Sequence, residues 1–346
     1  MVVVLSVFDR VNLPALQRGI LSGEIDSDSL LPDLVQYIDT EYYNVFLNTE
    51  TGERSASPVS RRGNPQYALR QSRKKSDLAK IIRNSTISYE HAGHTYSHLL
   101  FLTLTIDRRV MGRDEANLFI TTRGKGISRF FARLEKHIEG GYSKVLVKES
   151  TSSGYPAVHV LLHLDRAIRV TLHRKSNSYR PDPSDPYARN LLGKLKNLSN
   201  WNSKSPLWGV GFIDVYAFTS DGLGIKGYAN PINYIAKYIS KSLDIDKVPE
   251  LRTCRRVSEL PAKYRTAVWT ILNNLIWNSH TWVVSRSFKD DLRKIKERVD
   301  RLKGSWSWLG TFHRDDPRLY ELMGYDVTSP ALDKPPPHSA RRGRVT

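Results

Sequence analysis

One short stretch carries two tyrosines and two lysines at a spacing that suits chemistry on a phosphate. Residues 231–243 fit a helix that Asn230 caps, and at about 100° per residue one of its faces is wholly apolar. The apolar face consists of Ile232, Ile235, Ile239 and Leu243. The opposite face carries Tyr234, Lys237, Tyr238 and Lys241.

A tyrosine on such a face is a candidate nucleophile for a phosphodiester. Free phenol has a pKa of about 10 and is a poor nucleophile at neutral pH. A lysine one helical turn away favours the phenolate and can also hold a phosphate oxygen. An exposed helix with solvated lysines and half-buried tyrosines would show the same pattern, so both interpretations stay open.

Attack by tyrosine on a phosphodiester normally needs a divalent cation, and one predicted strand carries a candidate ligand. His159 and His163 share a strand face with Ala157 and Leu161. The two histidines are four positions apart, about 13 Å on a regular strand, which is too far for them to bind one ion together. His159 is therefore the single good ligand, and Glu149 on the preceding strand can reach the same end of the sheet. A half-buried histidine with satisfied hydrogen bonds is the alternative interpretation.

The elements that must position these residues are mixed helices and strands. Alternation predicts strands over residues 99–107, 144–149, 158–164 and 210–219, with residues 150–156 as a hairpin connection. Helical spacing predicts helices over 127–138, before Gly140-Gly141, and over 261–277, with another from Ser287 to Gly304. We therefore expect an α+β fold, an antiparallel sheet flanked by helices, with a helical C-terminal region.

Charge divides the 346-residue chain unevenly. The net charge is +18, yet the first 60 residues contain three arginines, no lysine and nine acidic residues. The strongly basic remainder of the chain favours a polyanion as its partner. Nucleic acid is the first candidate and an anionic membrane surface the second, and a charge that only keeps the protein soluble is the remaining interpretation. We expect an acidic segment over 1–60, a basic linker and helix over 61–94, a core over 95–245, a helical region over 246–330 and a basic disordered tail over 331–346.

Several classes of protein are excluded. No apolar run approaches the roughly 20 residues of a membrane span, and the opening residues do not match a secretory signal. Cys254 is the only cysteine, so we expect neither an intrachain disulfide nor a cysteine-based zinc site. Without a Gly-x4-Gly-Lys-Ser/Thr loop, a fused helicase is not expected. We expect a soluble, intracellular protein.

Four segments carry a family resemblance. Residues 101–107 read Phe-Leu-Thr-Leu-Thr-Ile-Asp, residues 148–162 hold a Gly-Tyr-Pro turn before His159, residues 234–241 hold the tyrosines and lysines, and Trp282–Arg286 follows a helix. In this order they resemble the motifs of HUH endonucleases of the replication-initiator (Rep) type. Such proteins start rolling-circle replication of archaeal and bacterial plasmids and of small viruses. The resemblance covers about residues 95–290.

The resemblance implies a site-specific endonuclease and strand transferase of single-stranded DNA. Tyr238 would attack an origin phosphodiester, form a 5′-phosphotyrosine and free a 3′-OH, with Mg²⁺ or Mn²⁺ at His159 and Glu149. Tyr234 would serve a second transfer or position the substrate, while Lys237 and Lys241 would orient the phosphate. The implied partners are origin DNA and a host helicase and polymerase in the host cytoplasm, without a membrane.

One position departs from the family pattern. Its first metal-binding histidine falls at Ala157, and alanine cannot ligate. A substitution made to stop cleavage, which we favour, a naturally weakened site, and a ligand borrowed from elsewhere are the three explanations. His163 is poorly placed for such borrowing, and we expect the cluster His91, His94 and His98 to lie in a loop.

Two other functions are kept as alternatives. A related transposase or conjugative relaxase would use the same chemistry. A protein that binds an origin or a DNA hairpin without cutting it would fit Ala157. Trp306 and Trp308 would stack on unpaired bases in either case, or simply pack within the C-terminal region.

Overall fold

The computed structural model describes residues 6–10, 12–72, 76, 87–173, 176–200, 203–220, 243, 247–280, 282–285 and 306–323. Four predicted features lie outside these residues: the helix 231–243 apart from Leu243, the helical pattern around residues 78–82, the helix from Ser287 to Gly304 and the tail. All statements below concern the described residues.

The acidic N-terminal segment is folded into helices and a β-hairpin. These elements are α1 (Val7–Arg10), α2 (Leu13–Ser22), α3 (Leu31–Asp39), β1 (Tyr42–Asn48) and β2 (Arg54–Pro58). Helices α2 and α3 each carry a proline in the first turn, where the missing N–H has no helical partner to lose. A 3₁₀ turn over Ser27–Leu30 leads into α3.

A seven-stranded antiparallel sheet forms the centre of the protein. Its strands are β3 (Ser88–His91), β4 (His94–Ile106), β5 (Tyr142–Ser150), β6 (Pro156–His173), β7 (Ser178–Pro181), β8 (Gly211–Phe218) and β9 (Trp282–Val284). The order is β3-β4-β8-β7-β6-β5-β9, and β4 also pairs with β6. The four strands predicted between residues 99 and 219 are confirmed, as is the α+β class.

Helices cover one face of this sheet. They are α4 (Arg113–Thr121), α5 (Gly126–Leu134) and α6 (Pro186–Leu195). Their apolar side chains share a core with the even-numbered residues of β4 and β6, such as Leu102, Leu104 and Val160. The odd-numbered residues point to the opposite face, where Phe101 and Leu161 are also buried. That opposite face carries the candidate ligands.

A second apolar core joins the beginning of the chain to its C-terminal part. Helices α2 and α3 pack there with α7 (Glu250–Thr253) and α8 (Ala262–Ile276). Trp269 and Leu272 of α8 lie in this core with Leu31 and Leu34 of α3. Contacts therefore cross the predicted boundaries at residues 60 and 246. None of the helices in the described part of the chain is long and apolar enough to cross a membrane.

The C-terminal region predicted to be helical contains strands as well as helices. Helix α8 confirms the helix predicted over 261–277, but β9 adds to the large sheet, and β10 (Trp306–His313) pairs with β1 in a small sheet of order β10-β1-β2. Helix α9 (Pro317–Leu322) packs beside that sheet. Aromatic and β-branched residues favour both strands, and the pairing with β1 supplies a partner that local periodicity does not reveal.

The histidine cluster expected in a loop lies in a β-hairpin instead. His91 ends β3, His94 begins β4, and His98 lies within β4. The two turn residues, Ala92 and Gly93, have φ values of +48° and +73°, as a tight hairpin turn requires. Alanine is uncommon at such a position, which is why the turn was not predicted.

A substitution at Gly211, the first residue of β8, tests how closely the backbone of β8 approaches that of β4. A Cβ at Gly211 would lie 1.9 Å from the Thr105 carbonyl oxygen, a backbone atom that cannot move aside. We expect Gly211→Ala to lower the free energy of unfolding by about 1–3 kcal/mol in urea titrations. Gly193→Ala is the matched control, because a Cβ there meets only Leu198 at 3.6 Å and alanine suits a helix better. Equal stability of the two variants would contradict this packing.

Candidate active site

Strand pairing brings the candidate ligands to one end of the sheet, on the face opposite the helices α4, α5 and α6. His159 of β6 lies opposite Thr103 of β4 on one side and Val147 of β5 on the other. In the next row, Ala157 lies between Thr105 and Glu149. Glu149 is therefore the diagonal neighbour of His159 on the same face, within reach of a long side chain.

The imidazole of His159 is held from both sides. Its Nε2–H donates to Glu149 Oε2 at 3.0 Å, and its Nδ1 lies 3.2 Å from Thr103 Oγ1. The ring also stacks on Phe101, with centroids 5.7 Å apart. The two side chains of the pair are only 8% and 10% exposed. A neutral ring accepts from the Thr103 hydroxyl and a protonated ring donates to it, so Thr103 suits both states.

Ala157, the position at which the resemblance expects a histidine, lies on the same face as Glu149 and His159. The residue is buried, with 7% of its surface exposed. Across the described residues, no group of three or more His, Cys, Asp and Glu side chains is arranged to hold a metal ion. Of the predicted metal ligands, the fold brings Glu149 and His159 into contact at this end of the sheet.

The other histidines lie elsewhere on the sheet. His163 stacks on His98 with ring centroids 5.8 Å apart, and His98 Nδ1 lies 2.8 Å from the Leu164 carbonyl oxygen. His94 is nine residues from Thr103 along β4, a distance of about 30 Å. The hairpin histidines therefore do not fill the position of Ala157.

The turn between β5 and β6 is fixed by buried amides that the sequence did not single out. Gly154 has φ +83°, and its carbonyl oxygen accepts from Asn117 Nδ2 and Asn273 Nδ2, both at 3.0 Å. Ser150 N–H donates to Thr270 Oγ1 of α8 at 2.9 Å. These bonds hold the strand ends that carry Glu149 and Ala157. Their only sequence signal is polar residues within an otherwise apolar helix pattern.

Lys148 precedes Glu149 in β5 and lies in a poorly solvated position. Burial, with a smaller contribution from the nearby charge of Arg62, lowers the pKa of Lys148 to about 8. Lys148 and Glu149 line one small polar cavity together with Asn117, Ile120, Thr121, Ser150, Thr270, Asn273, Asn274 and Ser279. Polar side chains from the helix α4, the strand end and the helix α8 therefore meet at this cavity.

Leu243, the last residue of the segment predicted as the tyrosine helix, is held in place near this cavity. The N–H of Leu243 donates to the Gly63 carbonyl oxygen at 2.9 Å, and the Leu243 side chain is buried. The guanidinium of the adjacent Arg62 donates to the carbonyl oxygen of Asn274, which lines the cavity with Glu149. The four predicted catalytic residues, Tyr234, Lys237, Tyr238 and Lys241, lie outside the described residues.

No protein-family model matches the chain, and comparison with curated proteins and with solved structures gives no significant match.

The buried lysine makes stability depend on pH. Because the pKa of Lys148 falls to about 8 in the folded chain, the unfolded chain binds more protons between pH 8 and the usual lysine pKa of about 10.4. Stability therefore rises with pH across that window, and the cost of the buried charge is fully present below pH 8. We expect Lys148→Met to raise the free energy of unfolding at pH 7 by about 1–2 kcal/mol, and by much less at pH 10.5.

Lys125→Met is the matched control for this measurement, because Lys125 is exposed at the start of α5. Urea titrations at both pH values give the comparison. A Lys148→Met effect that is no larger than the Lys125→Met effect at pH 7 would contradict the burial of this charge.

Proposed function

We propose that this chain is a nicking and joining enzyme of the HUH replication-initiator type, acting on single-stranded origin DNA in rolling-circle replication. The observation that carries the proposal is the Glu149–His159 pair, with Oε2 and Nε2 3.0 Å apart on an antiparallel sheet. Both residues fall at motif positions that the resemblance assigns to metal binding. The motif strand 101–107 lies directly beside the strand of His159, which supports the same assignment.

The donor set fits a weakly held divalent cation. A carboxylate oxygen is an ordinary ligand of Mn²⁺ and Mg²⁺, and Mg²⁺ commonly keeps several waters with only one or two protein ligands. An imidazole nitrogen is a ligand of first-row transition metals, so the pair suits Mn²⁺ better than Mg²⁺. Glu149 and His159 would hold the ion, and Thr103 would orient the ring through Nδ1. A bound cation would polarise the scissile phosphate and stabilise its developing charge.

In the proposed reaction, a tyrosine is the nucleophile that attacks the phosphodiester. The Tyr238 oxygen forms the bond to phosphorus while the bond from phosphorus to the 3′ oxygen breaks. The phenol loses its proton and the released 3′ oxygen gains one, which leaves a 5′-phosphotyrosine and a 3′-OH. Lys237 and Lys241 would stabilise the added negative charge. Tyr234, one turn earlier, would take part in the second transfer that rejoins the strand.

Contacts of the described residues support a location for this chemistry. Leu243 ends the predicted helix and is bonded to Gly63, and its neighbour Arg62 contacts α8 beside the cavity that Glu149 lines. The end of the segment that is predicted to carry the tyrosines therefore lies near the cavity that Glu149 lines, which supports chemistry at the Glu149–His159 pair.

A second function stays open because of Ala157. A protein that recognises an origin or hairpin without cutting it would tolerate alanine at a ligand position. The buried methyl group at the edge of the donor set is the observation in its favour. No feature of the described residues favours a transposase or a relaxase over an initiator.

A covalent adduct tests the proposed reaction. We expect the chain to form a denaturant-resistant adduct with labelled single-stranded origin-like DNA in Mn²⁺, and Ala157→His to form it at least about tenfold faster. The added imidazole supplies the missing donor. Gel electrophoresis in denaturant measures the rate, and peptide mass spectrometry locates the modified tyrosine.

Tyrosine variants provide the controls in the Ala157→His background. Tyr238→Phe should abolish the first adduct, whereas Tyr234→Phe should keep it. If neither the unchanged chain nor Ala157→His reacts with any origin-like strand, the binding-only function replaces the enzymatic one.

A further inference from the structure

A second cavity opens at the edge of the same sheet, and its position relative to the candidate ligands suggests a role. It has a volume of about 400 Å³ and lies between β8, the end of α6 and the segment around Ser205. Its polar walls are Lys196, Ser203, Ser205 and Asp214, and Phe212 contributes an aromatic ring. This size and mixture of apolar walls with a few polar groups is typical of a small-ligand site.

Strand register relates the cavity to the candidate active site. Asp214 of β8 lies opposite Thr103 of β4, and Thr103 lies opposite His159 of β6. Two strand spacings therefore separate Asp214 from His159, about 10 Å between backbones. Asp214 points to the same face as His159, as does Phe212, which lies opposite Thr105. One nucleotide of a strand whose phosphate lies at His159 can span this distance.

The polar groups of the cavity form a donor and an acceptor side by side. Lys196 Nζ lies 3.3 Å from Asp214 Oδ1, and the Lys196 side chain is only 13% exposed whereas that of Asp214 is 62% exposed. The ammonium donates hydrogen bonds and the carboxylate accepts them. A carboxylate on the wall disfavours a phosphate, so the cavity suits a neutral group that carries both donors and acceptors.

We infer that this cavity binds one unpaired base next to the scissile phosphate, and that guanine is the preferred base; the inference rests on the proposed function. The Watson–Crick edge of guanine offers the O6 acceptor beside the N1–H and N2–H donors. Lys196 matches O6 while the Asp214 carboxylate accepts both donors. The other bases offer at most two of these three contacts. Phe212 supplies a ring for stacking.

A base scan without catalysis tests the inference. A labelled 12-nucleotide oligothymidylate is compared with versions that carry one dG at successive positions, in EDTA so that no strand is cut. Fluorescence anisotropy of the full-length protein gives each affinity. We expect dG to tighten binding at least about tenfold at one position, and inosine, which lacks the 2-amino group, to recover only part of that gain.

Variants assign the preference to the cavity. Asp214→Asn and Lys196→Met should each reduce the dG preference to less than about threefold. Asp165→Asn makes the same charge change at an exposed position in the middle of β6, six residues from His159, and should keep the preference. Asp214 is largely exposed, so its variant is expected to fold.

The outcomes separate this inference from the proposed function. Binding of oligothymidylate with no dG preference, or a preference that survives in Asp214→Asn and Lys196→Met, overturns the cavity assignment alone. A chain that binds no single strand overturns the cavity assignment and also argues against the proposed function.

Discussion

The pairing of β4 with β6 is the constraint on which the candidate site depends. It sets Thr103 opposite His159 and Thr105 opposite Ala157, while β5 on the other side sets Glu149 opposite Ala157. Side chains alternate between faces, so a slip by one residue would turn His159 toward the helices. The same register extends through β8 to Asp214 and so relates the second cavity to the site. One hydrogen-bonded ladder thus fixes both groups of polar side chains.

Two apolar cores make this register hard to change. Helices α4, α5 and α6 pack on one face of the sheet, and α8 packs with the N-terminal helices beyond the β5–β6 turn. At that turn, the amides of Asn117 and Asn273 satisfy the Gly154 carbonyl, which would otherwise be a costly buried acceptor. The buried charge of Lys148 opposes folding at neutral pH. Burial that shifts the pKa of a titratable side chain is common at sites that carry out chemistry.

Sequence patterns predicted those features of the fold that depend on residues close together in the chain. Alternation was sufficient for the strands around 99–107 and 158–164, and hairpin geometry was sufficient to expect Glu149 near His159. Long-range pairing was not predictable in this way. Strand β10 pairs with β1, which lies at the other end of the chain, so that Tyr42 faces His313. The Asn273 contacts were missed because an asparagine in a helix gives no sign of the turn it will reach. The tyrosine face stays a prediction from the sequence.

Binding of Mn²⁺ tests most directly whether the Glu149–His159 pair is a cation site. Electron paramagnetic resonance of free Mn²⁺, titrated with the full-length protein, measures the number and affinity of bound ions. We predict one site per chain, weakened at least about tenfold by Glu149→Gln and by His159→Ala and strengthened by Ala157→His. Asp165→Asn, a surface carboxylate on the same sheet, should leave the affinity unchanged. Equal Mn²⁺ affinity in the unchanged chain, Glu149→Gln and His159→Ala would contradict the account.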